Sequence, residues 1–556
     1  MNLRSHWPVA IVTVLAGVLL FANLGGGYLW ADEGDTAVLA RNILKSGVPS
    51  AWDGVTFMDS DFGARVNDRL VMVSSPWLQY YLTAASFLVF GQNTIAARLP
   101  FALAGLLTIL LVYQVIFAAT RDRRAAICAS LLTMCSVQFL LFSRQSRYYA
   151  VAMLLTCLLI DRFLRMRSIR NAGLFTLVAV LLFHTHPIGI ASVFALGALT
   201  LTSTFSAQRR PFWTALPVIL ALTMPWFALA RAGYNENAQL VSSVREYFIR
   251  LAQYGIEAAS VTPLIGVIGL IVVALITSSW RTLESTERSW LAAIFTSVLA
   301  YAAVMAATQR TAALWVTGIR YTSAILPLLA IAAAILIFRT SRGKNYALVT
   351  LMFVFVCTKF PQLTPWTFWA EKIADPENKT LALHVPIRTM DAFFPREDIL
   401  FIRDLEQANI GTAGHCIEFL RQHAAPNDLI VTNYESEPLY FHTRLTQGMK
   451  ISPQDPIHDV ARRLGLPDYT FGLDHVRWVV WRFNWDDYLG IRWNDVSQHL
   501  LADGARIDDV AEINETGWEN RENLHFHRFA GGIYLFAQNT DLAATHIFRV
   551  TWPEQM

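Results

Sequence analysis

Long apolar runs recur along the first two thirds of this chain and then stop. They fall at 9–30, 94–119, 124–142, 148–163, 172–186, 188–205, 212–230, 261–279, 289–307, 320–338 and 345–359. A helix needs about 20 apolar residues to cross a bilayer, so the pattern predicts about eleven membrane-spanning helices. The first run, Val9 to Trp30, follows a short positive N-terminus but has no small-x-small cleavage site ahead of Asp32. It reads as a retained span rather than a removed leader.

The polar stretches between the runs orient them. Arg121–Arg124, Arg162–Arg170, Gln208–Arg210, Arg281–Arg288 and Arg339–Lys344 are short, rich in arginine or lysine, and fall on one side under this count. The positive-inside rule makes that side cytoplasmic. The other, exoplasmic side receives loop 31–93, the turns at Ser143–Arg147 and His184–Pro187, loop 231–260, loop 308–319 and everything after Phe360. Helical patterns at Thr36–Lys45, Pro76–Phe90 and Val244–Tyr254 fit helices lying along the interface. Beyond 360 the texture changes. Ile417–His423 has a helical pattern, and Leu429–Asn433, Val476–Arg482 and Gly532–Ala537 read as strands. The expected architecture is a mostly α polytopic membrane domain, 1–360, with its first exoplasmic loop at 31–93. A soluble α/β domain, 361–556, follows on the exoplasmic side.

Composition agrees. Of 556 residues 54% are hydrophobic and 16% charged, with a mean hydropathy of +0.38. Soluble domains carry about 25% charged residues. The net charge of +3 and the lack of a basic, aromatic-interleaved run argue against nucleic acid. Cys128, Cys135, Cys157, Cys357 and Cys416 have neither metal-ligand spacing nor the density of a disulfide framework. No inverted repeat is visible, which weighs against a secondary transporter.

The exoplasmic side gathers the candidate chemistry. Asp32 and Glu33 stand directly after the first span, with Asp35 close by and Asp59 and Asp61 further along the loop. Arg144, Arg147 and Tyr148 sit at one outer turn, His184 and His186 at another, and Arg310, Arg320 and Tyr321 near a third. Arginines on this side run against the usual bias, and an arginine entering a span needs a partner. A guanidinium fork suits a phosphate. A carboxylate beside it suits proton abstraction from a hydroxyl. Together they suggest group transfer from a lipid-borne phosphate at the membrane surface. Each residue also has a plain structural reading: a helix end meeting water, a snorkelling arginine, a histidine bonded to backbone.

In order along the chain, DEGDTAVLARNILKSGVPSAWDG, SSPWLQYYLTAASFLVFGQNTIAARLPFALAGLL, SRQSRYYAVAMLL, LLFHTHPIGI and GIRYTSAILPLLAI resemble the GT-C glycosyltransferases. The likeness, over roughly 10–340, is to the branch holding the protein O-mannosyltransferases and the bacterial lipid A aminoarabinose transferases. It implies an inverting transferase that uses a polyprenyl-phosphate-linked sugar, an envelope acceptor and a bilayer. It implies Asp32 as general base or acceptor-orienting acid with Glu33 beside it, and Arg320 with Tyr321 at the donor phosphate. Arg147, Tyr148, Arg144, His184, His186 and Asp61 are then substrate-side candidates. In the aminoarabinose transferases a lysine commonly precedes the proline of the first loop. Here the stretch is Ser74-Ser75-Pro76-Trp77, so that phosphate contact is missing. No inserted domain of the eukaryotic O-mannosyltransferases is seen. A bacterial inner membrane is the expected location. No cofactor is specified and a divalent metal stays open. The competing readings are an oligosaccharide ligase or polymerase, a transporter of lipid-linked sugar, and a non-catalytic envelope assembly protein.

Overall fold

The computed structural model describes residues 7–58, 65–230, 240–308, 316–341 and 344–358, and parts of 401–553, chiefly 410–433, 436–443, 475–483, 492–514 and 543–553. Asp59, Asp61, Arg310 and the strand expected at Gly532–Ala537 lie outside the described residues.

A helix occupies each of the eleven apolar runs. The first part of the chain runs α1 (Trp7–Phe21), α2 (Ala31–Ser46), α3 (Leu78–Phe90), α4 (Thr94–Thr120), α5 (Arg123–Met134), α6 (Val137–Ser143), α7 (Tyr149–Arg165) and α8 (Ile169–Phe183). It continues with α9 (Ile190–Leu199), α10 (Ser206–Ala230), α11 (Val244–Val261), α12 (Leu264–Ile276), α13 (Ser285–Thr308), a 3-10 segment Val316–Ile325, α14 (Leu326–Thr340) and α15 (Asn345–Cys357). Among the described residues four helices are long and apolar enough to cross a membrane, and a fifth if α5 and α6, bent by 68° at their junction, count as one. Shorter apolar helices make up most of the rest. α2, α3 and α11 fall at the three stretches read as interfacial.

Local chemistry sets the helix ends. Asn93 caps α4 by accepting from the Ala96 N–H at 2.9 Å. Asp122 caps α5, accepting from Arg124 N at 2.7 Å. Gly47, at φ 77°, closes α2 in the left-handed conformation that lacks a Cβ penalty. α14 lies at the centre. Every residue from Leu326 to Ile337 is buried, as expected for a helix apolar all round. α15 has none buried. At the end of the bundle carrying the basic loops, Arg339 of α14 donates through Nε to both carboxylate oxygens of fully buried Glu287 on α13, at 2.9 and 2.8 Å.

The C-terminal part builds a five-stranded mixed sheet. Its elements are α16 (Gly411–His423), β1 (Leu429–Thr432), α17 (Ser436–Thr443), β2 (Thr446–Gln447), β3 (Val476–Arg482), α18 (Trp493–Ala502), β4 (Arg506–Ile513) and β5 (Thr545–Thr551). The strand order is β2-β1-β3-β5-β4. β1 runs parallel to β2 and β3, and β5 antiparallel to β3 and β4. Strand β3 is central and almost wholly buried. One face of the sheet packs Ile430, Trp478, Val480 and Ile547 with Cys416, Leu420 and Leu439. The other packs Leu429, Val479, Trp481 and Phe548 with Val496 and Leu500, and also with Ala51, Phe57 and Val66 of the first loop. Loop 31–93 and the C-terminal sheet therefore share a core.

Candidate functional site at the outer end of the bundle

The site is assembled around the first turn of α2. Residues 32 and 35 are three apart, so they point the same way. Asp32 Oδ2 lies 3.2 Å from Arg147 Nη2 and 3.1 Å from Arg320 Nη1. Arg147 Nη1 also donates to the Asp32 carbonyl at 3.2 Å. The carboxylate is 24% exposed, Arg147 12% and Arg320 18%. Three remote pieces of chain thus meet at one oxygen: α2, the turn before α7, and the 3-10 segment that enters α14.

Beside them Asp35 pairs with Arg65 at 3.1 Å. Burial pushes the Asp32 carboxyl up, but Arg147, Arg320 and Arg65 outweigh it and hold it below the usual carboxylate range. For Asp35 burial wins. With Asp32 adding to it, and against Arg65 and Arg147, its carboxyl is pushed up. Three guanidiniums face two carboxylates, so the cluster keeps an excess of positive charge.

Arg65 was missed by sequence reasoning. Its Nε donates to Ser74 Oγ at 3.3 Å. A cation thus overlies the serine that stands where the resemblance leads one to look for lysine. The signal was present, since Arg65 is a charged residue in the first loop, but nothing in its spacing tied it to Asp35.

Glu33, expected beside Asp32 in the chemistry, has a different occupation. It is fully buried. Arg98 of α4 grips both of its oxygens, from Nε at 2.8 Å and from Nη2 at 2.6 Å. The Ser146 N–H donates to it at 2.7 Å. The remaining Arg98 donors reach the carbonyls of Leu24, Gly27 and Tyr28 at 3.1, 3.4 and 3.0 Å. Glu33 therefore locks α2 to α4 and to the turn that presents Arg147. A carboxylate buried and engaged this fully is closed off from an acceptor hydroxyl.

Arg144 is likewise redirected. It donates to the carbonyls of Leu19, Leu20, Ala22 and Asn23, capping the outer end of α1, where carbonyls lack intrahelical partners. His184 turns toward α10, with Nε2 3.2 Å from the Leu222 carbonyl. His186 lies nearer the charged cluster. Its ring stacks on Tyr148 at 4.9 Å and on Tyr321 at 6.1 Å, and Nε2 meets the Tyr321 carbonyl at 3.2 Å. Tyr301 of α13, like Arg65 and Arg98 a residue the sequence did not single out, donates its hydroxyl to the same carbonyl at 2.7 Å. The Arg320 guanidinium sits 5.2 Å from the centre of the Tyr321 ring. Two donors thus pin the backbone next to Arg320. Among the described residues no group of three or more His, Cys, Asp and Glu is arranged to hold a metal ion.

Residues 74–228, less than half of the chain, match the family described as dolichyl-phosphate-mannose-protein mannosyltransferase. No curated protein matches the chain. Among solved structures, ArnT from Cupriavidus metallidurans in its apo state is similar at a TM-score of 0.57 and 15% identity, over 91% of this chain and 96% of that one. The same enzyme bound to undecaprenyl phosphate gives a TM-score of 0.56 and 16% identity over the same shares. The fold is GT-C and ArnT-like. The oligosaccharyltransferase AglB from Archaeoglobus fulgidus scores 0.43 at 11% identity, over 87% of this chain and 70% of that one. With its apolar helices, the protein is integral to a membrane.

Proposed function

We propose that the protein is a glycosyltransferase that moves a sugar from a polyprenyl-phosphate donor onto an envelope acceptor, with inversion, at the exoplasmic face of a bacterial inner membrane. The observation that carries this reading is the single carboxylate oxygen of Asp32 shared by Arg147 and Arg320 at the outer end of an apolar helical bundle. The ArnT-like fold supports it, since that relative binds undecaprenyl phosphate. The matched mannosyltransferase family supports it independently over 74–228.

The donor's polyprenyl tail stays among the apolar helices and its phosphate enters the guanidinium pair. An anion there competes with Asp32 for Arg147 and Arg320. Its arrival frees the carboxylate and restores the basicity that the arginines suppress. Asp32 then takes the proton from an acceptor hydroxyl. The acceptor oxygen attacks the anomeric carbon as the carbon–oxygen bond to phosphate breaks on the opposite face, and the configuration inverts. Negative charge building on the departing polyprenyl phosphate is met by fixed guanidiniums rather than by reorganising water. Asp35 and Arg65 flank the pocket on the first-loop side. The C-terminal domain lies on the same exoplasmic side and offers the acceptor a surface.

The test is reconstitution. Purified protein in lipid nanodiscs is given polyprenyl-phosphate sugars, and lipid-linked sugars and envelope glycans from a deletion strain are compared by mass spectrometry to find the pair. Transfer that is abolished in Asp32→Asn supports the reading. Movement of lipid-linked sugar across vesicles without any glycosidic bond formed would replace it with the transporter reading.

A further inference from the structure

We propose that the outer-domain helix α17 sets the position of the proton acceptor Asp32, with Gly34 and His442 as positioning residues; this rests on the reading of Asp32 given above. The starting point is a glycine in the first turn and a half of a helix, where alanine is better by about 1 kcal/mol. Gly34 has no positive φ to justify it. The reason lies across the interface. A Cβ at 34 would meet Pro438 N at 2.7 Å, Pro438 Cδ at 2.8 Å and the Glu437 carbonyl carbon at 2.9 Å. Two of those atoms are backbone and cannot swing aside. Proline has no N–H, so its nitrogen is approached this closely without burying an unsatisfied donor.

Helical geometry makes the contact consequential. At about 100° per residue, Gly34 and Arg41 lie on the face of α2 opposite Asp32, roughly 160° and 180° around the axis from it. Arg41 continues this seam, its guanidinium 4.5 Å from the Tyr440 ring centre. The helix is thus held between α17 on one side and Arg147 with Arg320 on the other. A second tie fixes the entry to α2. The Leu29 N–H donates to His442 Nε2 at 3.2 Å. The His442 carbonyl is held in turn by Arg421, through Nε at 3.1 Å and Nη2 at 2.8 Å. The His442 ring packs edge-on against Tyr28 at 4.8 Å. Burial, helped by Arg421 and Arg98, holds its pKa down at about 3, which keeps Nε2 free to accept.

Filling Gly34 with a methyl pushes α2 from α17 by roughly half an ångström or more, toward the arginines. A misplacement of about 1 Å costs on the order of 100-fold in rate. The experiment measures steady-state transfer and amide hydrogen exchange by mass spectrometry on full-length protein in nanodiscs. Gly34→Ala should lower kcat 10- to 100-fold with the donor KM changed less than about threefold, and should speed exchange across residues 28–36. Gly173→Ala, where a Cβ meets nothing within 4 Å, should do neither. His442→Ala introduces no overpacking and should show the same kcat loss more mildly, with His442→Gln, whose amide oxygen can accept from Leu29, restoring most of it. Unchanged kcat and unchanged exchange in Gly34→Ala overturn the proposal. So does a His442→Ala loss that Gln does not repair. If wild-type protein shows no transfer from any polyprenyl-phosphate sugar, the reading of function falls. Faster exchange in Gly34→Ala would then still support the docking of α2 on α17.

Discussion

Breaking the Glu33–Arg98 pair separates a structural carboxylate from a catalytic one. Arg98→Met keeps the unbranched apolar stem and removes the guanidinium with its charge. It leaves a fully buried carboxylate with the backbone donors of Ser146 and Trp30, at 2.7 and 3.4 Å, and strips the carbonyls of Leu24, Gly27 and Tyr28 of a donor. Removing one partner of a buried ion pair costs about 3–5 kcal/mol, most of it the stranded charge. Glu33→Gln removes that charge while keeping an acceptor, and should cost about 2 kcal/mol. In the double variant the stranded charge is gone, so the two losses should fall short of additivity by about 2–3 kcal/mol. Thermal unfolding followed by tryptophan fluorescence in micelles reads this. Domains of 150–250 residues shift by about 2–4 °C per kcal/mol and larger ones by less. Arg98→Met should therefore lower Tm by about 5 °C or more, and the double variant should recover part of it. Two results would refute the reasoning. One is an Arg98→Met protein melting within about 1 °C of wild type. The other is a Glu33→Gln protein of unchanged Tm that has lost transfer, which would return Glu33 to the chemistry.

Asp32→Asn should cost on the order of 100- to 10,000-fold in kcat, measured in the nanodisc assay, with the protein still eluting as one folded species. Arg320→Gln removes a charge-assisted contact worth about 1.5–3 kcal/mol. The donor KM should rise about 10- to 100-fold while acceptor KM stays level; unchanged donor kinetics reject its phosphate role. Tyr301→Phe should raise donor KM only a few-fold, because it loosens the carbonyl beside Arg320 rather than Arg320 itself. The pH profiles carry a sign. A carboxylate base works when ionised, so activity falls as pH drops through its pKa. Asp32 is held low in the resting site and is freed when donor phosphate takes the arginines. The acid limb of kcat should therefore lie at higher pH than that of kcat/KM; coincident or reversed limbs contradict the exchange of partners.

The membrane part was legible because its signal is local and repeated. Apolar runs gave the helices, and the strands at Leu429 and Val476 announced themselves as short β-branched and aromatic runs. Strand β4 did not, since Arg506–Ile513 buries neither face fully and its sequence alternates poorly. Asp32 and Arg320 stood out because charge near an apolar run is costly. Arg98 carried the same signal at the start of the run 94–119, but neither its partner nor that of Tyr301 could be read from spacing, since they stand 65 and 20 positions away. Glu33 looked equivalent to Asp32 by adjacency, yet a 100° turn of helix sends one side chain to α4 and the other to the arginines. Gly34 carried no periodic signal at all. Only the approach of Pro438 gives it meaning.

The bond from Leu29 to His442 spans 413 positions of chain. A ribosome moving at about 5–20 residues per second needs on the order of 20–80 s to travel that far. The acidic helix therefore emerges long before the strut that steadies it. During that interval a nascent chain, or one cut short by premature termination, holds its carboxylate unaligned. On the proposed reading, alignment of Asp32 is thus deferred until residue 442 has been made, and a fragment ending before it should show no transfer in the nanodisc assay.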